Sequence, residues 1–422
     1  MIPEGGAGGV RQSVGMTSSS VPSASSSSVS RRAVVGAALS GAVVAATAGP
    51  ARAASVVSGV SGAPARVKAA APALPPLDAA ALRAAVTDLA HPELTAAQLR
   101  VTGSAGRWYG TAGVADRASG RPVRASDTFR IGSITKVFVA TVVLQLVAEG
   151  RLALDATIQR LLPGLLPAEF PAITVTQLLN HTSGLPDEQG GLDLSTPEAI
   201  ARHRHDRWTP HQIVAMLPPG PMKFAPGTGQ EYRGINYVLL ALLVERLTGR
   251  RYAEAIGSRI LRPLDLRHTS LPGVDPRIHG PHVHGYMRMT DGSLLDITEY
   301  DQTLAWGEGE MISTTGDLDR FVTALFSGDL VPPRVLENMF TLPPDSVRML
   351  DGSPARYGAG LQTVTLNGIT LWGKTGERYG YASAMFATRD QQRRAAFAFN
   401  AVRRDSTQIQ ATLRIAEALT KG

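Results

Sequence analysis

The sequence predicts an α/β protein of the α+β kind, with an antiparallel sheet lobe assembled from both chain ends beside a helical lobe. Three observations predict it. Strand-like runs cluster near the two termini, the middle of the chain is loop-rich and helical, and each terminal set of strands is accompanied by one amphipathic helix. At 422 residues and 44% hydrophobic, the chain can bury a large core.

The first 53 residues stand apart. A serine-rich stretch, SSSVPSASSSSVS, leads into RRAVVGAALSGAVVAATAGPARA, where Arg31 and Arg32 open an apolar run and Ala51-Arg52-Ala53 forms an A-x-A cleavage site. This order predicts a twin-arginine-type signal peptide over 1–53. The apolar run is rather short, and rich in alanine and glycine, for a permanent membrane anchor. The expected mature protein is therefore secreted and makes no membrane contact. The formal charge is +7, but the leader carries four arginines against one glutamate, so the mature chain falls to +4. That balance is too mild for nucleic-acid binding. The absence of cysteine excludes disulfides and thiol catalysis.

An Ala/Pro-rich linker follows over 54–76, expected to be poorly ordered. The remaining chain, 77–422, reads as one catalytic domain, with a sheet lobe over about 77–155 and 300–422 and a helical lobe over about 156–299. Asp78 to Leu89 has helical periodicity. Leu99 to Arg117 reads as two strands about a glycine-containing turn. Near the other end, YGAGLQTVTLNGITLWGKTG, YASAMFATRD and RRAAFAFNAV are strand-like runs separated by turn signals, before a closing helix from about Ser406 to Leu419. Between the lobes lies the expected site.

The segment from Ser133 to Glu149 is apolar on nearly every face and predicts a buried helix. Within it Lys136 is out of place. The chain has 37 arginines and only 5 lysines, so a lysine retained here invites a reason that guanidinium cannot satisfy. Ser133 lies one turn before Lys136 on the same face. Burial lowers an ammonium pKa, so Ser-x-x-Lys can generate a nucleophilic serine near a helix N-terminus that favours negative charge. A cap with a snorkelling lysine explains the same four residues, and roughly one such match arises by chance in a chain this long. The weight shifts at LWGKTGERYGYAS, where Lys374 ends a strand before Thr375 and Gly376. Ser-x-x-Lys upstream and Lys-Thr-Gly downstream is the paired signature of penicillin-recognising serine enzymes.

From about Leu99 to its end the chain resembles the β-lactamase-related serine hydrolases. The resemblance runs through GVADRASGRPVRASDTFRIGSITKVFVATVVLQLVAEG, ITVTQLLNHTSGLPDE and MISTTGDLDRFVTALFSGDL. Within that group it is especially similar to the soluble, secreted D-alanyl-D-alanine carboxypeptidases. The resemblance implies the β-lactamase/penicillin-binding fold and an acyl-enzyme on Ser133. It makes Lys136 the proton acceptor or electrostatic activator, and Tyr232 a proton shuttle whose pKa Lys374 lowers. It also implies an oxyanion hole from the backbone N–H groups of Ser133 and Glu377, with Thr375, Gly376, Trp306, Glu308 and Glu310 lining the substrate site. No cofactor or metal is implied. The partners implied are a small-molecule or peptide substrate, cell-wall peptide among them, and β-lactams as covalent ligands.

Two departures put the substrate in question. Where the family has Asn two residues after the tyrosine, this chain has Gly234, with Arg233 in place of Ser, and Asn236 aligns better with a second Asn of that segment. Glu377 would repel a substrate carboxylate. Together with Glu308 and Glu310 it makes a cleft that prefers an ammonium or neutral ligand, unless the acids pair with Lys374, Arg378 or Arg233. The expected activities are thus carboxypeptidase-like hydrolysis or, alternatively, D-aminopeptidase, amidase, esterase or amine acyltransferase activity, or slow-turnover β-lactam binding. The histidines of His203-Arg204-His205 and His282-Val283-His284 fit no zinc spacing and read as solvated loop residues. His181, in NHTSGLP, reads as organising its loop through a hydrogen bond.

Overall fold

The computed structural model describes residues 73–421. The proposed signal peptide and most of the proposed linker therefore lie outside the described residues. Asp78 caps a helix, α1 (Ala79–Thr87), by accepting a hydrogen bond from the Ala81 amide at 2.9 Å. Three strands follow: β1 (Leu94–Thr102), β2 (Trp108–Asp116) and the short β3 (Arg121–Pro122). β1 begins five residues before the expected strand. Its first residues, Leu94 to Gln98, are all buried, so tertiary burial extends a strand that polar Thr95 and Gln98 obscure in the sequence.

The apolar segment after Ser133 forms α2 (Thr135–Ala148), and a second hydrophobic helix, α3 (Ile235–Thr248), packs against it. Next comes α4 (Thr315–Ser327), N-capped by Thr314. The chain closes with β4 (Gln362–Leu366), β5 (Ile369–Arg378), β6 (Tyr381–Ala387), β7 (Arg394–Ala401) and α5 (Gln408–Thr420).

The seven strands form one sheet in the order β4-β5-β6-β7-β1-β2-β3, antiparallel at every step. The two chain ends meet at β7 and β1, where Leu99 lies opposite Phe397 and Ala97 opposite Phe399. One face is covered by α1 and α5, burying Leu82, Val86, Phe397, Phe399, Ile415 and Leu419. The other is covered by α4, whose Phe321 ring stacks on Phe138 of α2 with centroids 3.8 Å apart. Through that contact the core continues into the helical lobe. α2 is buried on nearly all sides, as its lack of a polar face requires. The region 156–299 is not purely helical, since it includes a hairpin of Tyr286–Arg288 with Leu294–Asp296. Among the described residues, no helix is long and apolar enough to cross a membrane.

β5 runs directly against the turn that precedes α2. A Cβ on Gly376 would lie 1.9 Å from the Ile131 carbonyl oxygen, and one on Gly132, whose φ is +50°, would lie 2.4 Å from the Glu377 nitrogen. Glycine is thus required on both sides of this contact. Replacement Gly376→Ala is expected to lower unfolding free energy by about 2–3 kcal/mol through overpacking, read from urea denaturation. A change below about 0.5 kcal/mol would show that the contact is looser than described.

Candidate active site

Gly132–Ile134 form a single 3₁₀ turn that delivers the chain into α2. Ser133 is half-buried at this turn, and Lys136, fully buried, sits in the first helical turn after it. Lys136 Nζ donates to Ser133 Oγ at 3.2 Å, to the Glu308 carbonyl oxygen at 2.8 Å and to Glu308 Oε2 at 2.5 Å. A buried ammonium must have its donors satisfied, and these three contacts match its three protons. Burial lowers the Lys136 pKa, and the charge of Glu308 works against that fall. Burial acts to raise the Glu308 pKa, but Lys136, Arg378 and Lys374 outweigh it, so the carboxyl is held below its usual range.

Glu308 stands where position 234 leaves room. A Cβ on Gly234 would lie 2.4 Å from Glu308 Oε2 and 2.7 Å from its Cδ. The carboxylate thus fills the volume that a side chain at 234 would need, and it takes the lysine as partner. The resemblance left that partner missing, and Asn236 does not supply it. Asn236 is fully buried and its side-chain oxygen accepts from Ser183 Oγ at 2.8 Å.

Tyr232, at the approach to α3, lies between the two lysines. Its ring centroid is 5.0 Å from Lys136 Nζ and 4.5 Å from Lys374 Nζ. Lys374 is buried and donates to the Thr375 carbonyl oxygen at 3.1 Å and to Gln362 Oε1 at 3.3 Å. Burial and the nearby Lys136 charge push its pKa well below the ordinary value. The expectation that Lys374 lowers the Tyr232 pKa is corrected here. Burial, then the charge of Glu308, raise the phenol well above 10, with the Ser133 hydroxyl opposing and Glu377 adding to the rise. The Tyr232 hydroxyl oxygen is itself buried without a hydrogen-bond partner of good geometry. In this state Tyr232 is a neutral phenol, suited to donate a proton.

The close approach of Gly132 and Gly376 brings the Glu377 backbone nitrogen against the Ser133 turn, where the two amides implied as an oxyanion hole lie on neighbouring segments. The Glu377 side chain turns to Arg404, whose Nε donates at 2.7 Å. Thr375 is half-buried on the same strand. Trp306 is half-buried and edge-on to Tyr252, with centroids 4.6 Å apart.

The acids thus are not three free charges: their hydrogen-bonded partners are not the ones expected, although the charges of Arg378 and Lys374 still act on Glu308. Arg233 is committed elsewhere, to Asp187 at 2.8 Å and Glu188 at 2.7 Å, bracing the loop after His181. His181 accepts from the Arg233 amide at 3.2 Å and so orders that loop. Glu310, expected at the substrate, is 1% exposed and accepts instead from the Tyr252 hydroxyl and from the Gly273 and Gly307 amides, each at 3.3 Å. Tyr252 and Gln362 lie outside the residues expected at the site. Only their burial against a charged group reveals them, and neither belongs to a motif.

The beta-lactamase family model matches residues 43–420. The chain belongs to the beta-lactamase family. Esterase EstB of Burkholderia gladioli is 36% identical over 201 residues, which cover 44% of this chain and 50% of the esterase. Penicillin-binding protein 4* of Bacillus subtilis is 28% identical over 324 residues, 74% of this chain and 68% of that protein. The chain thus spans only half to about two thirds of the length of these relatives. Among solved structures, a D-stereospecific amidohydrolase from Streptomyces sp. superposes with a TM-score of 0.71 at 34% identity, covering 82% of this chain and 99% of the other. D-amino acid amidase from Ochrobactrum anthropi gives 0.67 at 27% identity, covering 81% and 97%. The chain has the mixed α/β fold of this family.

Glu310 yields a test independent of catalysis. Burial raises its pKa to about 7, against the hydrogen bonds from Tyr252 and two amides. Below pH 4.5 the group is neutral in both the folded and the unfolded chain. As pH rises from 4.5 to 7 the unfolded chain ionises first, so stability falls, by on the order of 3 kcal/mol from this group, and then levels off. Glu310→Gln should remove that part of the pH dependence of Tm. An unchanged slope between pH 5 and 7 would contradict the assignment.

Proposed function

We propose that this protein is an exported amidohydrolase that acts through an acyl-enzyme on Ser133, cleaving amides and short peptides of D-amino acids that carry a free α-amine. One observation carries the reading: the Glu308 carboxylate, 26% exposed, lies two hydrogen bonds from Ser133 Oγ, across Lys136. An α-ammonium two bonds from the carbonyl carbon under attack would fall within its reach. The similarity to D-stereospecific amidohydrolase and D-amino acid amidase supports the same class.

In the cycle, Ser133 Oγ attacks the carbonyl carbon as its proton passes to neutral Lys136. The carbonyl oxygen takes up negative charge against the Ser133 and Glu377 amides. The C–N bond breaks as Tyr232 protonates the leaving nitrogen. Water then gives a proton to the Tyr232 phenolate and attacks the acyl carbon. Ser133 Oγ departs with the proton held on Lys136.

A carboxypeptidase acting on N-acylated D-Ala-D-Ala peptides is the second reading. The Glu377–Arg404 pair favours it, because it removes the charge that would repel a substrate carboxylate. The relation to penicillin-binding protein 4* supports it too. Cell-wall peptide would then be a substrate, and β-lactams would acylate Ser133. A panel of D-aminoacyl amides, N-acylated D-Ala-D-Ala peptides and short esters, with Ser133→Ala as control, decides between the two. Turnover highest on free-amine D-amides and lost by at least ~10³-fold in the control is expected. Preference for the N-acylated peptide would establish the second reading.

Export rests on Arg31, Arg32 and the Ala51-Arg52-Ala53 site. The exported protein is expected to begin at Ala54 by N-terminal sequencing, and an Arg31→Lys/Arg32→Lys variant should stay in the cytoplasm. Export of that variant at the normal rate would contradict this route.

A further inference from the structure

Lys136 presents a chemical difficulty in the resting site. To accept the Ser133 proton it must be a neutral amine, yet all three of its donors are engaged, two of them by Glu308. Glu308 is there because Gly234 is glycine, since any Cβ at that position would overlap its carboxylate. This is a closely fitted ion pair between residues 172 positions apart, and it opposes the protonation state that catalysis needs. The carboxylate is also the more accessible partner, 26% exposed against 1% for Lys136.

We propose that Glu308 is a positioning and specificity-determining residue that gates Lys136: a substrate ammonium replaces Lys136 as its counter-ion and so frees the lysine to act as base. The inference rests on the reading of Ser133 as an acylated nucleophile and deepens its substrate class. At rest, Glu308 holds Lys136 as an ammonium. When a primary ammonium pairs with Glu308, Lys136 loses its compensating charge inside a buried site, releases one proton to solvent and can take the proton of Ser133. A ligand without that cation leaves the pair closed. Recognition of the amine and activation of the serine thereby become one event.

The other groups facing Lys136 are Tyr232 and Tyr237, with ring centroids 5.0 and 5.8 Å from Nζ, the charge of Arg378, and the titratable Lys374 and His181. Arg378 lowers the Lys136 pKa, and a charged Lys374 or His181 would act in the same sense. Glu308 is the one acid named among these groups, so its neutralisation moves Lys136 in a single direction, downward.

The first test needs no substrate. The rate at which a fluorophosphonate labels Ser133 is measured against pH in the wild type, in Glu308→Gln and in Gly234→Ala, whose methyl displaces the carboxylate without removing it. Each variant is first shown to be folded by its melting transition. The half-maximal pH is expected to fall by about one unit or more in both variants, because Lys136 loses the charge that keeps it protonated. The second test compares a D-aminoacyl amide with its N-acetyl counterpart. In the wild type the free amine should be preferred at least ~100-fold in kcat/KM, and in Glu308→Gln to within ~10-fold, with the N-acetyl rate rising. An unchanged labelling profile, or equal losses on both substrates, would overturn the gate. Failure of Ser133 to label in any folded form would instead remove the nucleophile reading beneath it.

Discussion

Everything at this site depends on burying one ammonium. Lys136 is fully buried, so each of its protons must find an acceptor within the fold, and the three acceptors come from two distant parts of the chain. Ser133 lies one turn before it, and Glu308 comes from the segment after Trp306. Satisfying the lysine thus ties the helical core to that segment. The same burial lowers the pKa of Lys374, raises that of Tyr232 and keeps His181 neutral, so four titratable groups take their states from one dry region.

The scaffold supports this by backbone contact rather than by side chains. Two glycines, Gly132 and Gly376, let strand β5 approach the turn before α2 closely enough that the Ser133 and Glu377 amides belong to adjoining segments. Ser383 ties the contact down by donating to the Ile131 carbonyl at 3.0 Å. The sheet that holds β5 in place is completed only when the last strand pairs with the first, so the proposed nucleophile and oxyanion donors are positioned by residues from opposite ends of the chain.

Much of this was legible in the sequence because its carriers are local. The strand and helix runs near the termini have clear periodicity, and an unusual shortage of lysine made Lys136 and Lys374 conspicuous. What was not legible depends on distance or on space. Gly234 read as a loss, whereas the structure shows it as the vacancy that Glu308 occupies. No spacing rule relates two residues that far apart. Glu308, Glu310 and Glu377 looked alike as three acids near one cleft, yet they have three different partners: a lysine, a tyrosine with two amides, and an arginine. The pKa of Tyr232 could not be foreseen from motif chemistry, since burial outweighs the cation that was expected to lower it.

In the proposed mechanism, Lys136 makes Ser133 nucleophilic within this buried cluster. The most direct measurement is a crystal structure of the protein trapped as an acyl-enzyme with a slowly hydrolysed D-aminoacyl ester. The expected result is an ester bond at Ser133 Oγ, the acyl oxygen within hydrogen-bond distance of the Ser133 and Glu377 nitrogens, and the substrate amine on Glu308 Oε2. A covalent bond at any other residue, or an acyl oxygen pointing away from both amides, would contradict it.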